Sequence, residues 1–205
     1  MKIIPTIFAH NKKEFQQRFE KLLPIAREFQ IDFMDGRFVS AKSVRLRDIP
    51  ILPSNKNFEA HLMVENPEKY LVRLKKKGFK KIIFHVEATN EPEKIIRRIR
   101  ALGMKPMVAI KPENSLVNLP KTSEVLFMGV HPGKEHQKFI PGVYKKISLL
   151  RKTNKDIFIQ VDGGINSEVI KKLAKLKVNA VNSGSYIADS PDPRQTLKKL
   201  NSVIR

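Results

Sequence analysis

The stretch Ile157-Phe158-Ile159-Gln160-Val161-Asp162-Gly163-Gly164-Ile165-Asn166 runs from an aliphatic segment into a carboxylate and two glycines. Apolar residues then recur at helical spacing, and Asn166 or Ser167 can cap that helix. Asp162 is therefore predicted at the carboxyl end of a strand, where α/β barrels and open α/β sheets carry their functional groups. The glycines allow backbone N–H groups to approach an anion. Alone, the aspartate is also compatible with a simple turn cap. Residues at the other strand ends are needed to distinguish this role from a functional one.

The same alternation of aliphatic runs and amphipathic segments recurs along the chain. Eight runs are predicted as strands, near residues 3–8, 30–34, 58–62, 81–85, 106–110, 124–129, 157–161 and 178–182. Eight units in 205 residues give about 26 residues each, which suits a (β/α)8 TIM barrel without insertions. We therefore expect an α/β chain in which residues 1–205 form one (β/α)8 barrel domain. A doubly wound open sheet is the alternative.

Local signals indicate where several helices begin and end. Asn11 and Glu14 resemble a capping box, Pro92 suits a first helical turn, and Gly103 suits a helix end. Pro24 falls inside the predicted first helix and is expected to kink it. Residues 42–57, with prolines in and near them, leave little room for a second helix.

Composition excludes several classes of protein. With 205 residues, 41% of them hydrophobic, the chain is long enough to bury a full core. It has no cysteine, which excludes a disulfide framework and any thiolate ligand or nucleophile. The start turns polar too soon for a signal peptide, and no apolar run approaches the ~18 residues of a membrane span. We expect a cytoplasmic protein without membrane association.

The charge favours an anionic partner. Forty Lys and Arg against twenty Asp and Glu give a net charge of +20, which attracts phosphorylated metabolites, nucleic acids or acidic surfaces alike. The basic residues form scattered clusters, mostly on polar faces of predicted helices, and are not interleaved with aromatic residues. No specific nucleic-acid partner is expected, although non-specific polyanion binding is an alternative. The oligomeric state is open, and a homo-oligomer is one option.

Chemically capable residues gather at the predicted strand ends. Alternation places Gln30, Asp32 and Met34 on one face of the second strand, and His61 with Met63 on one face of the third. An inward carboxylate among apolar neighbours needs a partner or a cation. Glycine-rich turns follow strands six, seven and eight, where barrels usually bind phosphate. The pattern predicts an anionic ligand held at one side of the mouth, with its reactive end toward the two aspartates and the histidine.

These residues belong to a set of ordered motifs that resembles the ribulose-phosphate 3-epimerase family. The motifs are Pro5-Thr6-Ile7, Asp32-Phe33-Met34-Asp35-Gly36-Arg37-Phe38-Val39, His61-Leu62-Met63-Val64 with Pro67-Glu68, Phe84-His85-Val86-Glu87-Ala88-Thr89, Pro132-Gly133 with Gln137-Lys138-Phe139, Val161-Asp162-Gly163-Gly164, and Ser183-Gly184-Ser185. The resemblance implies a barrel of the ribulose-phosphate-binding type that inverts C3 of ribulose 5-phosphate, giving xylulose 5-phosphate, in the pentose phosphate pathway. It also implies two catalytic aspartates and a divalent metal.

Carried onto this chain, the resemblance implies specific roles. Asp32 and Asp162 would be the acid/base pair. The metal (Zn, Fe, Mn or Mg) would be held by Asp32, His61 and Asp162, with Gln30 as a weak or absent fourth ligand. Substrate contacts would come from Thr6, Met34, His61, Met63 and Met128, and phosphate contacts from Gly133, Gly163, Gly164, Gly184 and Ser185.

The chain departs from the family pattern at two important places. Gln30 stands where the family has a metal-binding histidine; a harder, weaker amide oxygen would favour magnesium or manganese. Alternatively, Gln30 only hydrogen-bonds Asp32 and no metal binds. The family's mobile G-F-G-G-Q loop reads Gly133-Lys134-Glu135-His136-Gln137, which puts its flexibility in question, while Lys134 or His136 could contact phosphate.

Two further functions stay open besides epimerisation. A catalytically impaired or inactive relative would bind a sugar phosphate without turnover. Aldol or decarboxylase chemistry on a related barrel would need an aspartate-x-lysine-x-x-aspartate pattern, and Asp32-Phe33-Met34-Asp35 contains no lysine.

Overall fold

A closed parallel barrel of eight strands organises the molecule. The computed structural model describes residues 1–204, and its strands pair in chain order, with the last closing on the first. The strands are β1 (Lys2–Ile7), β2 (Glu28–Met34), β3 (Asn57–Met63), β4 (Lys81–His85), β5 (Lys105–Ile110), β6 (Glu124–Met128), β7 (Phe158–Asp162) and β8 (Ala180–Ser183). Each overlaps a predicted run, so the (β/α)8 barrel is confirmed and the open sheet is wrong.

Within the described residues, seven α-helices lie around the strands. They are α1 (Lys12–Leu22), α2 (Leu71–Lys77), α3 (Pro92–Ala101), α4 (Gly142–Thr153), α5 (Ser167–Lys175), α6 (Ser185–Ala188) and α7 (Pro193–Ser202). The connection from β2 to β3 holds only a 3-10 turn at Leu46–Asp48, as the proline-rich sequence predicted. The connection from β5 to β6 also has a 3-10 turn, Leu116–Asn118, in place of an α-helix. No helix within residues 1–204 combines the length and apolar character needed to cross a membrane.

The helix ends follow the capping signals, with one correction. The Asn11 side chain accepts from the Glu14 backbone N–H at 3.0 Å, and Pro92 opens α3. The predicted kink at Pro24 is wrong, because α1 ends at Leu22 before the proline. A proline inside the helix would lose one backbone hydrogen bond and clash with the preceding turn, so the chain leaves the helix first.

The barrel interior is apolar on one side and polar on the other. Strands β4 to β6 contribute an apolar cluster of Ile83, Met107, Ala109, Leu126 and Met128. Strands β2, β3, β7 and β8 instead bury polar groups, namely Gln30, Asp32, Glu59, His61, Gln160, Asp162 and Asn182, and His85 at the end of β4 lies beside His61. Buried polar side chains are costly unless they are paired. The polar side therefore marks the functional part of the barrel.

Candidate active site

Two carboxylates and one imidazole meet at the carboxyl end of the barrel. In the β2–β3 ladder Asp32 lies opposite His61, and Asp162 is the last residue of β7. His61 Nδ1 lies 3.2 Å from Asp32 Oδ1 and 3.3 Å from Asp162 Oδ2. One ligand atom from each of the three residues lies within 4.8 Å of the others. The geometry thus brings together the three residues for which the sequence predicted metal binding.

The surroundings of Asp32 and His61 shift the pKa of both side chains. Burial raises the pKa of Asp32 to about 6, and the nearby Asp162 adds to this rise, although hydrogen bonds with His61 and Gln30 oppose it. Burial by itself would lower the pKa of His61, but hydrogen bonds with Asp162 and Asp32 outweigh it and raise the pKa to about 9. The site therefore favours a positive charge between its two carboxylates. A divalent cation could supply that charge in place of the imidazole proton.

Gln30 lies directly beneath this group and is fully buried. Its Nε2 donates to Asp32 Oδ1 at 2.8 Å and to Asp162 Oδ2 at 2.7 Å. Its oxygen accepts from Asn182 Nδ2 at 2.9 Å. Of the two roles expected for Gln30, the hydrogen bond to Asp32 is therefore present, and metal ligation stays a prediction.

The carboxylates face a cavity of about 810 Å³ at the strand ends, a volume suited to a small metabolite. Its wall includes every residue predicted to contact substrate or phosphate: Thr6, Met34, His61, Met63, Met128, Gly133, Gly163, Gly164, Gly184 and Ser185. The Thr6 hydroxyl is buried and has no hydrogen-bond partner within residues 1–204. The individual roles of these residues remain predictions.

Comparison with known proteins decides the family. A sequence model of the family described as "Ribulose-phosphate 3 epimerase family" matches residues 2–188. The chain belongs to the ribulose-phosphate 3-epimerase family. It is 34% identical over an alignment of 218 residues, gaps included, to ribulose-phosphate 3-epimerase of Methanocaldococcus jannaschii. The alignment covers 98% of this chain and 88% of that protein. It is 33% identical over 180 residues to the Mycobacterium tuberculosis protein of the same name, covering 83% and 79% respectively.

A solved structure supports the same fold at lower identity. 3-Hexulose-6-phosphate synthase from Salmonella typhimurium is similar with a TM-score of 0.72 and 16% identity, covering 100% of this chain and 98% of that chain. At this identity the similarity shows the barrel and carries no information about the reaction. The resemblance read from the sequence motifs is confirmed by the family match.

The loop after β6, which departs most from the epimerase family pattern, is held against neighbouring elements by one ion pair and several polar contacts. Both carboxylate oxygens of Glu135 lie 3.0 Å from Arg18 Nη1 on α1. His136 Nε2 lies 3.5 Å from Asp189 Oδ2 after α6. The Gln137 amide also donates to backbone carbonyl groups within the loop. The ion pair of Glu135 with Arg18 therefore holds the loop against α1 at the cavity.

The turn after β7 requires its two glycines. Gly163 and Gly164 have φ angles of 95° and 68°, which side chains rarely adopt. A Cβ on Gly163 would lie 2.4 Å from Val130 Cγ2, and one on Gly164 would lie 2.7 Å from the Phe139 backbone nitrogen. The turn thus brings its backbone close to the loop after β6, at the side of the cavity where an anion was predicted.

Several buried residues around the epimerase-family triad were not assigned roles from the sequence. His85 Nε2 lies 3.0 Å from His61 Nε2, and burial lowers the pKa of His85 to about 4, so the ring is neutral at pH 7. Glu59, Gln160 and Asn182 form hydrogen bonds beneath Gln30. The available signal was strand alternation, since Glu59 precedes His61 by two residues and Gln160 precedes Asp162 by two.

Proposed function

We propose that this chain is an epimerase that inverts C3 of a ketose phosphate, with ribulose 5-phosphate giving xylulose 5-phosphate as the first candidate reaction. The observation that carries the proposal is the buried pair Asp32 and Asp162, which approach one imidazole from strands β2 and β7. Inversion needs one group to remove a proton and a second group to return one on the other face. Two carboxylates brought together from different strands meet that requirement.

The proton transfer follows from ordinary carbonyl chemistry. A hydrogen next to a ketone is weakly acidic, so a carboxylate can remove it only when the developing enediolate is stabilised. Asp32, whose pKa is raised to about 6, is suited to accept a proton near neutral pH. Asp162 then delivers a proton to the opposite face of C3. The two carboxylates exchange roles in the reverse direction.

The donor set fits a divalent cation. Asp32, His61 and Asp162 offer two carboxylate oxygens and one imidazole nitrogen within 4.8 Å of one another, a set compatible with zinc, iron, manganese or magnesium. When bound, such an ion supplies Lewis-acid stabilisation of negative charge on the substrate oxygens. The chain's own contribution is to hold the two carboxylates and the imidazole in position and to exclude bulk water by burial.

The phosphate of the substrate would lie at the side of the cavity formed by the turns after β6, β7 and β8. Gly163 and Gly164 allow close backbone approach there, and Gly184 precedes α6. Lys134, Lys138 and Lys172 also line the cavity, in agreement with the attraction of the whole chain for anions. This arrangement would direct C3 of the sugar toward the two aspartates.

Solvent-deuterium exchange tests the proposal directly. The purified chain, supplied in turn with zinc, iron, manganese and magnesium, is expected to incorporate deuterium at C3 of ribulose 5-phosphate. Asp32→Asn and Asp162→Asn should each reduce the formation of xylulose 5-phosphate by about 10²–10⁴-fold, because inversion needs both proton-transfer groups. Asp156→Asn, an exposed position just before β7, is the matched control. Absence of exchange with every metal would refute the proposal.

Sugar-phosphate binding without turnover is the second candidate. Two observations favour it: Gln30 turns N–H groups toward the carboxylates, and Glu135 ties down the loop after β6. In that case ribulose 5-phosphate should raise the melting temperature of the chain while divalent metals leave it unchanged. Stoichiometric metal binding together with C3 exchange would exclude this candidate.

A further inference from the structure

Three buried amide side chains lie beneath the two aspartates, and their hydrogen bonds all run in one direction. Gln160 Nε2 donates to Asn182 Oδ1 at 2.7 Å, and Asn182 Nδ2 donates to Gln30 Oε1 at 2.9 Å. Gln30 Nε2 then donates to both aspartates. All three amide side chains are fully buried, so each must find its partners inside the barrel. The orientation of one amide therefore constrains the next.

Glu59 sets the donor-to-acceptor direction of these amide hydrogen bonds. One of its carboxylate oxygens accepts from Asn182 Nδ2 at 3.0 Å and from Gln160 Nε2. The other oxygen faces Lys81 Nζ at 3.9 Å. A carboxylate only accepts hydrogen bonds, so both amides must turn their NH₂ groups toward it. Gln160 keeps this orientation although its own Oε1 finds no partner among residues 1–204, since reversal would place an oxygen against the carboxylate.

Gln30 connects these hydrogen bonds to the candidate metal-binding group of Asp32, His61 and Asp162. Asn182 Nδ2 faces Gln30 Oε1, which leaves only N–H groups of Gln30 to face Asp32 and Asp162. An N–H group cannot ligate a cation, whereas it can orient the carboxylates that do. We infer that Glu59, acting through Asn182, holds Gln30 as a hydrogen-bond donor to the two aspartates, so that a divalent cation has three protein ligands and Gln30 is a positioning residue. This inference rests on the metal-binding part of the proposed function.

Manganese titration of the full chain by calorimetry tests the inference. Glu59→Gln is isosteric and removes the acceptor-only group. The three amide side chains can then reverse their donor and acceptor ends, which turns the Gln30 oxygen toward the cation. Mn²⁺ should then bind about tenfold more tightly, the usual lower range for changes around metal ligands. Loss of a nearby negative charge would by itself weaken cation binding. The two explanations therefore predict changes of opposite sign.

A double-mutant cycle shows whether the effect passes through Gln30. In a Gln30→Leu background, Glu59→Gln should no longer tighten Mn²⁺ binding. Asn182→Leu removes the donor to Gln30 and so also frees the Gln30 amide to turn its oxygen toward the cation. This variant should therefore tighten Mn²⁺ binding as well, but only when Gln30 is present. Thermal unfolding of the metal-free variants checks that each one folds.

The outcomes separate this inference from the catalytic proposal. Unchanged or weaker Mn²⁺ binding in both Glu59→Gln and Asn182→Leu would overturn the inference, as would equal tightening in the Gln30→Leu background. A failure of every variant to bind Mn²⁺ would overturn it too. If the cycle behaves as expected while C3 exchange fails with every metal, the inference stands and epimerase activity does not.

Discussion

The ion pair between Glu135 and Arg18 should control how often the loop after β6 leaves the cavity. Both Glu135 oxygens lie 3.0 Å from one guanidinium nitrogen, and the two side chains are only 19% and 16% exposed. The perturbation is Glu135→Gln, which keeps the shape and removes the charge. Arg18 retains Asp189 at 3.4 Å and the Phe8 carbonyl oxygen at 2.9 Å, so the guanidinium is not left unpaired.

The magnitude follows from the partial burial of the pair. A hydrogen bond between charged groups contributes about 1.5–3 kcal/mol, and partial exposure with the remaining partners of Arg18 favours the lower end. A loss of about 1.4 kcal/mol changes an equilibrium about tenfold. The open fraction of the loop should therefore rise about tenfold in Glu135→Gln, while the melting temperature of the whole barrel changes little, because the core is untouched.

Limited trypsin digestion measures this opening. Lys138 lies in the same loop, three residues after Glu135, and is exposed, but a protease needs the surrounding segment to open before it can cleave. The initial rate of cleavage after Lys138, whose scissile bond does not adjoin the substituted residue, should rise about tenfold when followed by mass spectrometry. The matched control is Glu113→Gln, which breaks an exposed pair with His131 in the same loop, 51% and 63% exposed. Surface pairs contribute about 0–1 kcal/mol, so this change should have little effect. Equal acceleration in both variants, or none in Glu135→Gln, would refute the reasoning.

Three further predictions concern the turn after β7, the acid stability of the fold and the metal group. Gly164→Ala should lower the free energy of unfolding by about 1–3 kcal/mol in urea titrations, because φ is 68° and the new Cβ meets backbone atoms. Gly142→Ala, which meets nothing within 4 Å, should cost nothing. The pKa of Glu87 is lowered to about 2: burial opposes this shift, but the His85 ring, 3.4 Å from one carboxylate oxygen, and a hydrogen bond from the Lys111 backbone N–H outweigh it. Its stabilisation is therefore complete above about pH 4.5 and is lost as the pH falls toward 2. Glu87→Gln should cost about 1–2 kcal/mol at pH 7 and less than half of that at pH 3 in matched urea titrations. His61→Leu should abolish the rise in melting temperature that saturating Mn²⁺ causes, and a rise that survives this change would place the ion elsewhere.

Much of the fold was predictable because its signals are local. Aliphatic runs of strand length, separated by amphipathic segments, predicted all eight strands, and side-chain alternation predicted which residues of β2 and β3 share a face. The first helix shows the limit of such local reasoning. Its apolar pattern continues past Pro24, but the cost of a missing backbone hydrogen bond ends the helix at Leu22.

The candidate site divides in the same way. Asp32, His61 and Asp162 were identifiable because each stands at a strand end, and parallel strands of a barrel bring those ends to one rim. The loop after β6 was recognisable as altered, yet its attachment depends on Arg18, which lies 117 residues from Glu135. No local pattern relates those two positions. Only the packing of α1 beside the barrel mouth makes them partners.

The sequence alone determined the barrel, the family resemblance and the three residues of the candidate metal-binding group, since these depend on periodicity and on motifs that are contiguous in the chain. The tertiary structure decided what Gln30 presents to that group. An amide side chain carries a donor and an acceptor of similar size, and its own sequence position does not select between them. Asn182, 152 residues away, and Glu59 on the neighbouring strand make that selection by hydrogen bonding.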